Sequence, residues 1–320
     1  MERGEWPAIA VMGAGAVGCY FGGMLARAGA PVTLIGRPQQ VDALARAGLW
    51  IESPAFREFV PVAASADPAA AREAELVLLA VKTLDTPGAA RALAPHLAPG
   101  AMVVSLQNGV DNARQIRGYL AQRIIPAVVY VSAEMMGPGR VKHNGRGDLI
   151  IGTPRGESPG PELDDLAALF SRAAVPCRVS ANIEADLWAK LTMNCAFNAI
   201  SALGRARYGR IATHQAARAV MEQAVLETMA VARADGVDMA MHDLVAAADR
   251  LAEAVPAALS STAQDIHLGK RTEIDDLNGY VVRRGAALGV PTPVNQTLHA
   301  LVKLLEEAGA EAAPGPGGGG

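Results

Sequence analysis

A glycine-rich segment near the beginning of the sequence has the residue types and spacing of a phosphate-binding loop. It consists of Gly13, Ala14, Gly15, Ala16, Val17 and Gly18, a GxGxxG pattern. An apolar run over 8–12 precedes it, helical apolar spacing over 17–28 follows it, and a second apolar run occupies 31–35. In such a strand–helix–strand unit the glycines permit a tight turn, close approach of a pyrophosphate to the backbone, and close helix–strand packing. The motif therefore predicts a dinucleotide site with the phosphates at the helix N-terminus.

The residue that follows the second predicted strand indicates which dinucleotide binds. NAD enzymes carry an acidic residue there for the ribose 2′-hydroxyl, whereas this chain has Ile35-Gly36-Arg37. The planar guanidinium of Arg37 can pair with a 2′-phosphate, and a solvated surface arginine is the alternative. We therefore expect NADP(H) as the cofactor.

Two further polar residues, Lys82 and Asn108, each follow an apolar run typical of a strand. In an open α/β sheet the carboxyl ends of the strands form the ligand crevice, so both residues could reach the nicotinamide or a substrate. A solvated lysine and an ordinary Asn-Gly turn explain them equally well. Position alone leaves both interpretations open.

A polar stripe runs along the helix predicted over 183–203. Lys190, Asn194 and Asn198 recur every four residues, and the other faces of the helix are apolar. Asparagine is a poor mid-helix residue and a buried amide needs partners, so the stripe either satisfies the core or lines a polar cleft. The lysine favours the cleft, because a lone cation facing a core is costly.

Two more residues have structural explanations when spacing alone is considered. Ser261 begins the sequence STAQ, which is typical of a helix capping box. Glu273 falls in a helical pattern over 261–288 and has the spacing of an exposed carboxylate beside Lys270 and Arg271. Neither residue is assigned to a site by its spacing.

The elements that must position these residues predict an α/β protein. Strands and helices alternate to about residue 123, as in a parallel sheet, and strand-like pieces over 124–151 predict an antiparallel extension. Helical patterns then cover 183–203, 213–235, 242–254, 261–288 and 293–308. The predicted fold is a Rossmann-type, doubly wound, mostly parallel sheet with a second, all-helical domain. We expect an NADP-binding domain over 1–180, a helical substrate and catalytic domain over 181–309, and a disordered Gly/Pro tail over 310–320.

Composition excludes several classes of protein. The 320 residues are 51% hydrophobic, and 29 basic against 32 acidic residues give a net charge of −3. This argues against nucleic acid or an anionic membrane surface as a partner. The uncharged segment 7–26 has an acidic flank and five glycines, so neither a signal peptide nor a membrane helix is expected. Cys19, Cys177 and Cys195 lack ligand spacing, which predicts reduced thiols, no metal site and a cytoplasmic location.

These motifs together resemble the ketopantoate reductase (2-dehydropantoate 2-reductase) family over nearly the whole chain. The matching blocks are GAGAVG at 13–18, Arg37, VKT at 81–83, QNG at 107–109, KLTMNCAFN at 190–198 and SSTAQDIHLGKRTEIDDLNG at 260–279. The last two blocks distinguish the family from generic Rossmann proteins. The resemblance implies an NADP-dependent oxidoreductase that acts on CH–OH groups. Its implied reaction is reduction of a 2-oxo acid, most closely ketopantoate to pantoate in pantothenate and coenzyme A biosynthesis.

The resemblance also implies roles for individual residues. Lys190 is similar to the catalytic lysine of the family, and Glu273 to the carboxylate that holds the hydroxyl end of the substrate. The implied polar substrate contacts are Asn108, Asn194, Asn198 and Ser261. Lys82 is similar to a lysine near the cofactor and the substrate carboxylate, and Asn108 shares that region.

One position departs from the family pattern. Several members carry an asparagine three residues before the second serine of the SS pair, where this chain has Ala258. This departure leaves another 2-oxo acid open as the substrate. The alternatives to ketopantoate reduction are a related NADP-dependent reductase of another 2-oxo acid or an imine, and a non-catalytic NADP-binding regulator. The expected partner is a small 2-oxo acid. The sequence leaves the oligomeric state open, with a homodimer among the possible assemblies.

Overall fold

The structure, a computed structural model, describes residues 5–238 and 243–312, without the side chains of 309–312. The chain divides into two compact units, one ending at Asp186 and the other beginning at Leu187. This division falls in the first turn of the helix over Ile183–Gly204, whereas the sequence predicts a boundary after residue 180.

The first unit contains the strands and five α-helices. Its strands are β1 (Ile9–Met12), β2 (Val32–Ile35), β3 (Leu49–Glu52), β4 (Arg57–Val60), β5 (Ala63–Ser65), β6 (Leu76–Leu79), β7 (Met102–Ser105), β8 (Arg123–Gly137), β9 (Arg140–Gly152) and β10 (Cys177–Ser180). Its helices within the described residues are α1 (Ala16–Arg27), α2 (Pro38–Ala47), α3 (Thr86–Leu93), α4 (Asn112–Arg117) and α5 (Glu162–Arg172), with 3₁₀ turns at Pro68–Ala71 and Thr83–Asp85.

Among the described residues these ten strands form one sheet. The strand order is β4-β3-β9-β8-β7-β6-β1-β2-β5, and β10 pairs with β9. Strands β5, β2, β1, β6, β7 and β8 run parallel, and β8 and β9 form a long antiparallel hairpin. The predicted α/β class, with its parallel-dominated sheet and antiparallel extension, is confirmed.

Both faces of the central strand β1 are buried. Val11 packs in a cluster with residues of α1 and α5, including Phe21 and Phe170. Its neighbour Ala10 faces the other way, into a cluster with residues of α3 and α4, including Leu93. Successive residues of a strand point to opposite faces, so a sheet covered by helices on both sides needs apolar residues at every position. The ends of the strands are then left as the place for a ligand.

The regular elements of the second unit are all helices among its described residues. Its helices are the remainder of α6 (Ile183–Gly204), α7 (Tyr208–Thr213), α8 (Gln215–Ala234), α9 (Leu244–Ala254), α10 (Ser261–His267), α11 (Asn278–Leu288) and α12 (Pro293–Ala312). Helix α12 continues past residue 310, where the predicted tail begins, and residues 313–320 of that tail lie outside the described residues.

The prediction of a single helix over 261–288 is wrong. Helix α10 ends at His267, and α11 begins only at Asn278. Gly269 has a φ of +62°, the left-handed conformation that commonly ends a helix, and Lys270 N–H donates to the Asp265 carbonyl over 2.8 Å. The apolar residues after Gly269 therefore belong to a turn and a new helix.

None of the helices in the described ranges is long and apolar enough to cross a membrane. Cys19, Cys177 and Cys195 are free thiols, and burial raises the pKa of each to about 12. Thiols with such a pKa are poor nucleophiles near neutral pH.

Candidate cofactor and substrate residues

Four parallel strands of the first unit end level with one another. Met12 of β1 pairs with Ile35 of β2 on one side and with Leu79 of β6 on the other. Leu79 in turn pairs with Ser105 of β7. The loops after these strands therefore share one edge of the sheet, the edge that binds ligands in open α/β folds. These loops carry residues 13–18, Arg37, Lys82 and Asn108.

Two glycines of the loop after β1 cannot be replaced without moving the backbone. Gly13 has a φ of +112°, and an added Cβ would lie 2.7 Å from the main chain at Ala80 and Val81. At Gly18 an added Cβ would lie 2.0 Å from the Gly13 carbonyl oxygen. The first glycine thus permits the turn beside β6, and the third permits α1 to pack on the loop.

Gly15 differs from these two glycines because the space beside it is open. An added Cβ there would meet no heavy atom within 4 Å, and Gly15 itself is exposed. It is the N-cap residue of α1, whose first turn contains no acidic side chain. The first N–H groups of a helix lack acceptors within the helix and carry a partial positive charge. A pyrophosphate fits this open cradle in both shape and charge.

Arg37 lies beside the same loop. The preceding residue, Gly36, packs closely against the glycine loop, so that an added Cβ at Gly36 would lie only 2.7 Å from the Ala14 Cβ. Arg37 is exposed and is the N-cap residue of α2, and the first turn of α2 contains no acidic residue. A guanidinium at the positive end of a helix provides two adjacent features that favour a phosphate group.

A buried glutamine joins the loops after β6 and β7. The Gln107 side chain is only 4% exposed, and its Nε2 donates to the Val81 carbonyl over 3.1 Å and to Thr86 Oγ1 over 2.6 Å. Its Oε1 accepts the Ser105 hydroxyl over 3.0 Å. These three hydrogen bonds thus hold together the segments that follow β6 and β7 at the carboxyl edge of the sheet. Sequence reasoning treats Gln107 only as part of a motif and misses this function.

The backbone of Asn108 is held by two further contacts from the same region. Its carbonyl accepts the Thr83 hydroxyl over 3.0 Å and the Asn112 amide over 2.7 Å. Thr83 and Asn112 are buried, whereas Asn108 and Lys82 are half-buried. The main chain that carries the Lys82 and Asn108 side chains is therefore held in place at the carboxyl end of the sheet.

The polar stripe of α6 lies in the second unit, and its three residues differ in burial. Lys190 and Asn194 are half-buried, but Asn198 is only 2% exposed. The main-chain carbonyl of Asn198 accepts the Ser260 hydroxyl over 3.1 Å. Asn198 therefore helps to join α6 to the beginning of α10, in addition to any role it has towards a substrate.

The capping explanation predicted for Ser261 is wrong, because the N-cap of α10 is Ser260. The Ser260 hydroxyl accepts the Ala263 N–H over 3.0 Å, and Ser260 is 1% exposed. Ser261 is the first helical residue and is exposed. Since the neighbouring serine caps the helix, the Ser261 hydroxyl is not needed for that purpose.

Glu273 also departs from its predicted setting. It lies in the turn before α11, not on the surface of a continuous helix, and it is half-buried. Its carbonyl accepts the N–H groups of Asp276 and Leu277 over 2.9 and 3.1 Å. Burial, together with the negative charge of Glu273, raises the pKa of Asp276 to about 6. Two carboxyl groups of this turn therefore interact in a partly desolvated place.

The fold and the sheet-edge site define a Rossmann-type dinucleotide-binding protein. A family model described as ketopantoate reductase PanE/ApbA matches residues 9–156, and its C-terminal counterpart matches residues 182–306. The chain belongs to the ketopantoate reductase family, as the motifs predict. It is therefore an oxidoreductase of the kind that acts on CH–OH groups.

Individual relatives are similar over most of their length. A ketopantoate reductase structure from Ralstonia eutropha JMP134 is 51% identical, covers 95% of this chain and 99% of its own, and has a TM-score of 0.90. The 2-dehydropantoate 2-reductase of Halobacterium salinarum is 33% identical over 94% of this chain and 99% of its own. A D-mandelate dehydrogenase complex with NADH is 24% identical, covers 95% and 99% of the two chains, and has a TM-score of 0.89, which indicates a shared fold alone.

Proposed function

We propose that this chain reduces ketopantoate (2-dehydropantoate) to pantoate with NADPH as the cofactor. The observation that carries the proposal is the level sheet edge, where the open cradle at Gly15 lies beside Arg37. Family membership and relatives named 2-dehydropantoate 2-reductase support the choice of substrate. The reaction is consistent with a step in pantothenate and coenzyme A biosynthesis.

The residues of the first unit would hold the cofactor. The N–H groups of the loop and of the first turn of α1 bind the pyrophosphate, with residues 13–18 as the cradle. Arg37 binds the 2′-phosphate, and the lack of an acidic residue in the first turn of α2 favours that group over a free 2′-hydroxyl. Lys82 and Asn108 would contact the cofactor from the adjoining strand ends.

Lys190 provides the acid chemistry. When bound, the cofactor supplies the hydride that reduces the C2 carbonyl. The Lys190 ammonium stabilises the negative charge that grows on the C2 oxygen and then donates a proton to that oxygen. A positioned general acid contributes a factor on the order of 10²–10⁴ to the rate.

The remaining polar residues orient the substrate. Glu273 accepts a hydrogen bond from the C4 hydroxyl of ketopantoate, and a partly desolvated carboxylate makes such a bond strong. Neutral hydrogen-bond donors and acceptors would position the 2-oxo acid substrate without adding charge. They are offered by Asn108, Asn194, Asn198 and Ser261.

A different 2-oxo acid is the second candidate substrate, and Ala258 favours it. This half-buried residue has a methyl group where several family members have an amide, so it offers no side-chain hydrogen bond. Its carbonyl is already occupied by the Tyr208 N–H over 3.1 Å. A substrate with an apolar group beside residue 258 would lose no hydrogen bond when alanine replaces the asparagine of other family members.

The experiment that tests the proposal is a panel of 2-oxo acids assayed for NADPH oxidation, with product identification by mass spectrometry. Ketopantoate is compared with 3,3-dimethyl-2-oxobutanoate, which differs from it only by lacking the hydroxyl, and with phenyl-2-oxoacetate. The proposal expects ketopantoate to have the highest kcat/KM. A clear preference for either unhydroxylated acid would favour the second candidate, and no turnover of any acid would contradict both.

A further inference from the structure

We propose that Glu306 is a positioning residue for Glu273, and that it sets the preference for hydroxylated 2-oxo acids by anchoring Thr272. The inference rests on the proposed function, because it assigns Glu273 to the substrate hydroxyl. Glu306 lies near the end of α12, far in sequence from every predicted site residue.

The anchor is a carboxylate that receives two hydrogen bonds from one residue. Glu306 Oε1 accepts the Thr272 N–H over 2.7 Å and the Thr272 hydroxyl over 2.6 Å. Thr272 is 2% exposed, and the Glu306 side chain is 11% exposed. Two short bonds in a nearly dry place hold both the main chain and the side chain of Thr272.

The same threonine reaches across Glu273. Thr272 Oγ1 accepts the Ile274 N–H over 3.2 Å. This hydrogen bond joins the residue before Glu273 to the residue after it. The Ile274 side chain is completely buried. Glu273 therefore lies between two residues that are held in place. These residues fix the direction in which its half-buried side chain leaves the main chain.

A second set of contacts holds the anchor itself. Lys303 Nζ donates to Glu306 Oε2 over 2.7 Å and to Asp275 Oδ2 over 3.0 Å, and His299 Nε2 lies 2.7 Å from Asp275 Oδ1. Burial would raise the pKa of Glu306, but hydrogen bonds from Lys303 and Thr272 outweigh it and leave the pKa below its usual value. The Glu306 carboxylate thus stays ionised, and it accepts hydrogen bonds from Thr272 at Oε1 and from Lys303 at Oε2.

This arrangement predicts which substitutions preserve the anchor. A glutamine at 306 keeps an oxygen that can accept from Thr272, although its amide nitrogen cannot accept from Lys303. An alanine removes all of these acceptors. Serine at 272 retains the hydroxyl that Ile274 and Glu306 require, whereas valine retains the shape and loses that hydroxyl.

The test compares kcat/KM for ketopantoate with kcat/KM for 3,3-dimethyl-2-oxobutanoate in Glu306→Ala, Glu306→Gln, Thr272→Val and Thr272→Ser. We expect the ratio of the two values to fall at least about fivefold in Glu306→Ala and Thr272→Val, mainly through KM for ketopantoate. Glu306→Gln and Thr272→Ser should keep most of the ratio. Glu307→Ala, an exposed neighbour on α12, is the control and should keep all of it.

The outcomes separate this inference from the proposed function. A wild-type ratio near one, unchanged in Glu273→Ala, would contradict the proposed role of Glu273 and the inference together. A ratio that falls in Glu273→Ala but stays at the wild-type value in both Glu306→Ala and Thr272→Val would overturn the inference alone. If Glu306→Ala does not fold, the pair Thr272→Val and Thr272→Ser still decides, because equal ratios in the two would overturn the inference.

Discussion

Gln107 Nε2 donates to Thr86 Oγ1 over 2.6 Å, and this buried bond joins the loop after β7 to the segment after β6. The same amide group also holds the Val81 carbonyl, directly before Lys82. One side chain therefore fixes the two loops from which Lys82 and Asn108 extend.

Replacement of Gln107 by leucine should destabilise the protein and weaken cofactor binding. It would remove three hydrogen bonds and leave the buried hydroxyl of Ser105 and the carbonyl of Val81 without this partner. We expect a loss of ~2–4 kcal/mol in the free energy of unfolding. Chemical denaturation measures it, with the exposed Gln296→Leu as the control. Equal stabilities of the two variants would refute the bridging role.

Replacement of Arg37 by alanine should affect NADPH far more than NADH. The proposed function assigns the guanidinium to the 2′-phosphate, which only NADPH carries, so we expect KM for NADPH to rise at least about tenfold while KM for NADH changes little. Steady-state kinetics with both cofactors measures the difference. Equal rises for the two would show that Arg37 does not contact the 2′-phosphate.

Replacement of Lys190 by alanine should lower kcat while leaving NADPH binding intact. The proposed function assigns the Lys190 ammonium to the charge that develops on the substrate oxygen, so we expect kcat to fall by roughly 10²-fold or more. Fluorescence titration with NADPH provides the control for folding and cofactor binding. A variant that retains most of its kcat with the best substrate would exclude Lys190 from the chemistry.

Asp276 makes the stability of the protein depend on pH in a predictable direction. Burial and the charge of Glu273 raise its pKa from 3.8 to about 6, so between these values the folded state binds more protons than the unfolded state. This contribution to stability is complete below about pH 4 and is lost as pH rises through about 6. Asp276→Asn should therefore be more stable than wild type at pH 8, by ~1–2 kcal/mol because solvent screens part of the effect at this partly exposed carboxyl group, with a smaller difference at pH 5.

Denaturation at the two pH values checks this prediction. Asp42→Asn is the matched control, because Asp42 is exposed on α2. A stability gain for Asp276→Asn that is the same at pH 5 and pH 8 would contradict the assigned cause.

The glycine loop and the strand-end residues could be predicted because they depend on local patterns. GxGxxG after a strand requires a tight turn, and the carboxyl ends of parallel strands share one edge in any such sheet. The level pairing of Met12 with Ile35 and Leu79 follows from that geometry. Strands β3 to β5 lack so clear a pattern, because they are partly exposed and contain charged or small residues such as Glu52, Arg57 and Ala63 in place of an unbroken apolar run.

The hydrogen bonds around the candidate site residues could not be predicted, because the partners are distant in sequence. Gln107 and Thr86 are 21 residues apart, and Thr272 and Glu306 are 34 residues apart. Apolar spacing carries no information on such pairs. It also misleads near Glu273, where Ile274 and Leu277 have helical spacing although they lie in a turn.

The proposed reaction is tested most directly by the ratio of kcat/KM for ketopantoate to that for 3,3-dimethyl-2-oxobutanoate, measured with NADPH for wild type and Glu273→Ala. A hydrogen bond from the C4 hydroxyl to a carboxylate contributes about 1.5–3 kcal/mol. We expect wild type to prefer ketopantoate by at least tenfold, to form pantoate, and to lose most of that preference in Glu273→Ala. Equal losses for the two acids in Glu273→Ala, or a wild type that does not oxidise NADPH with ketopantoate, would contradict it.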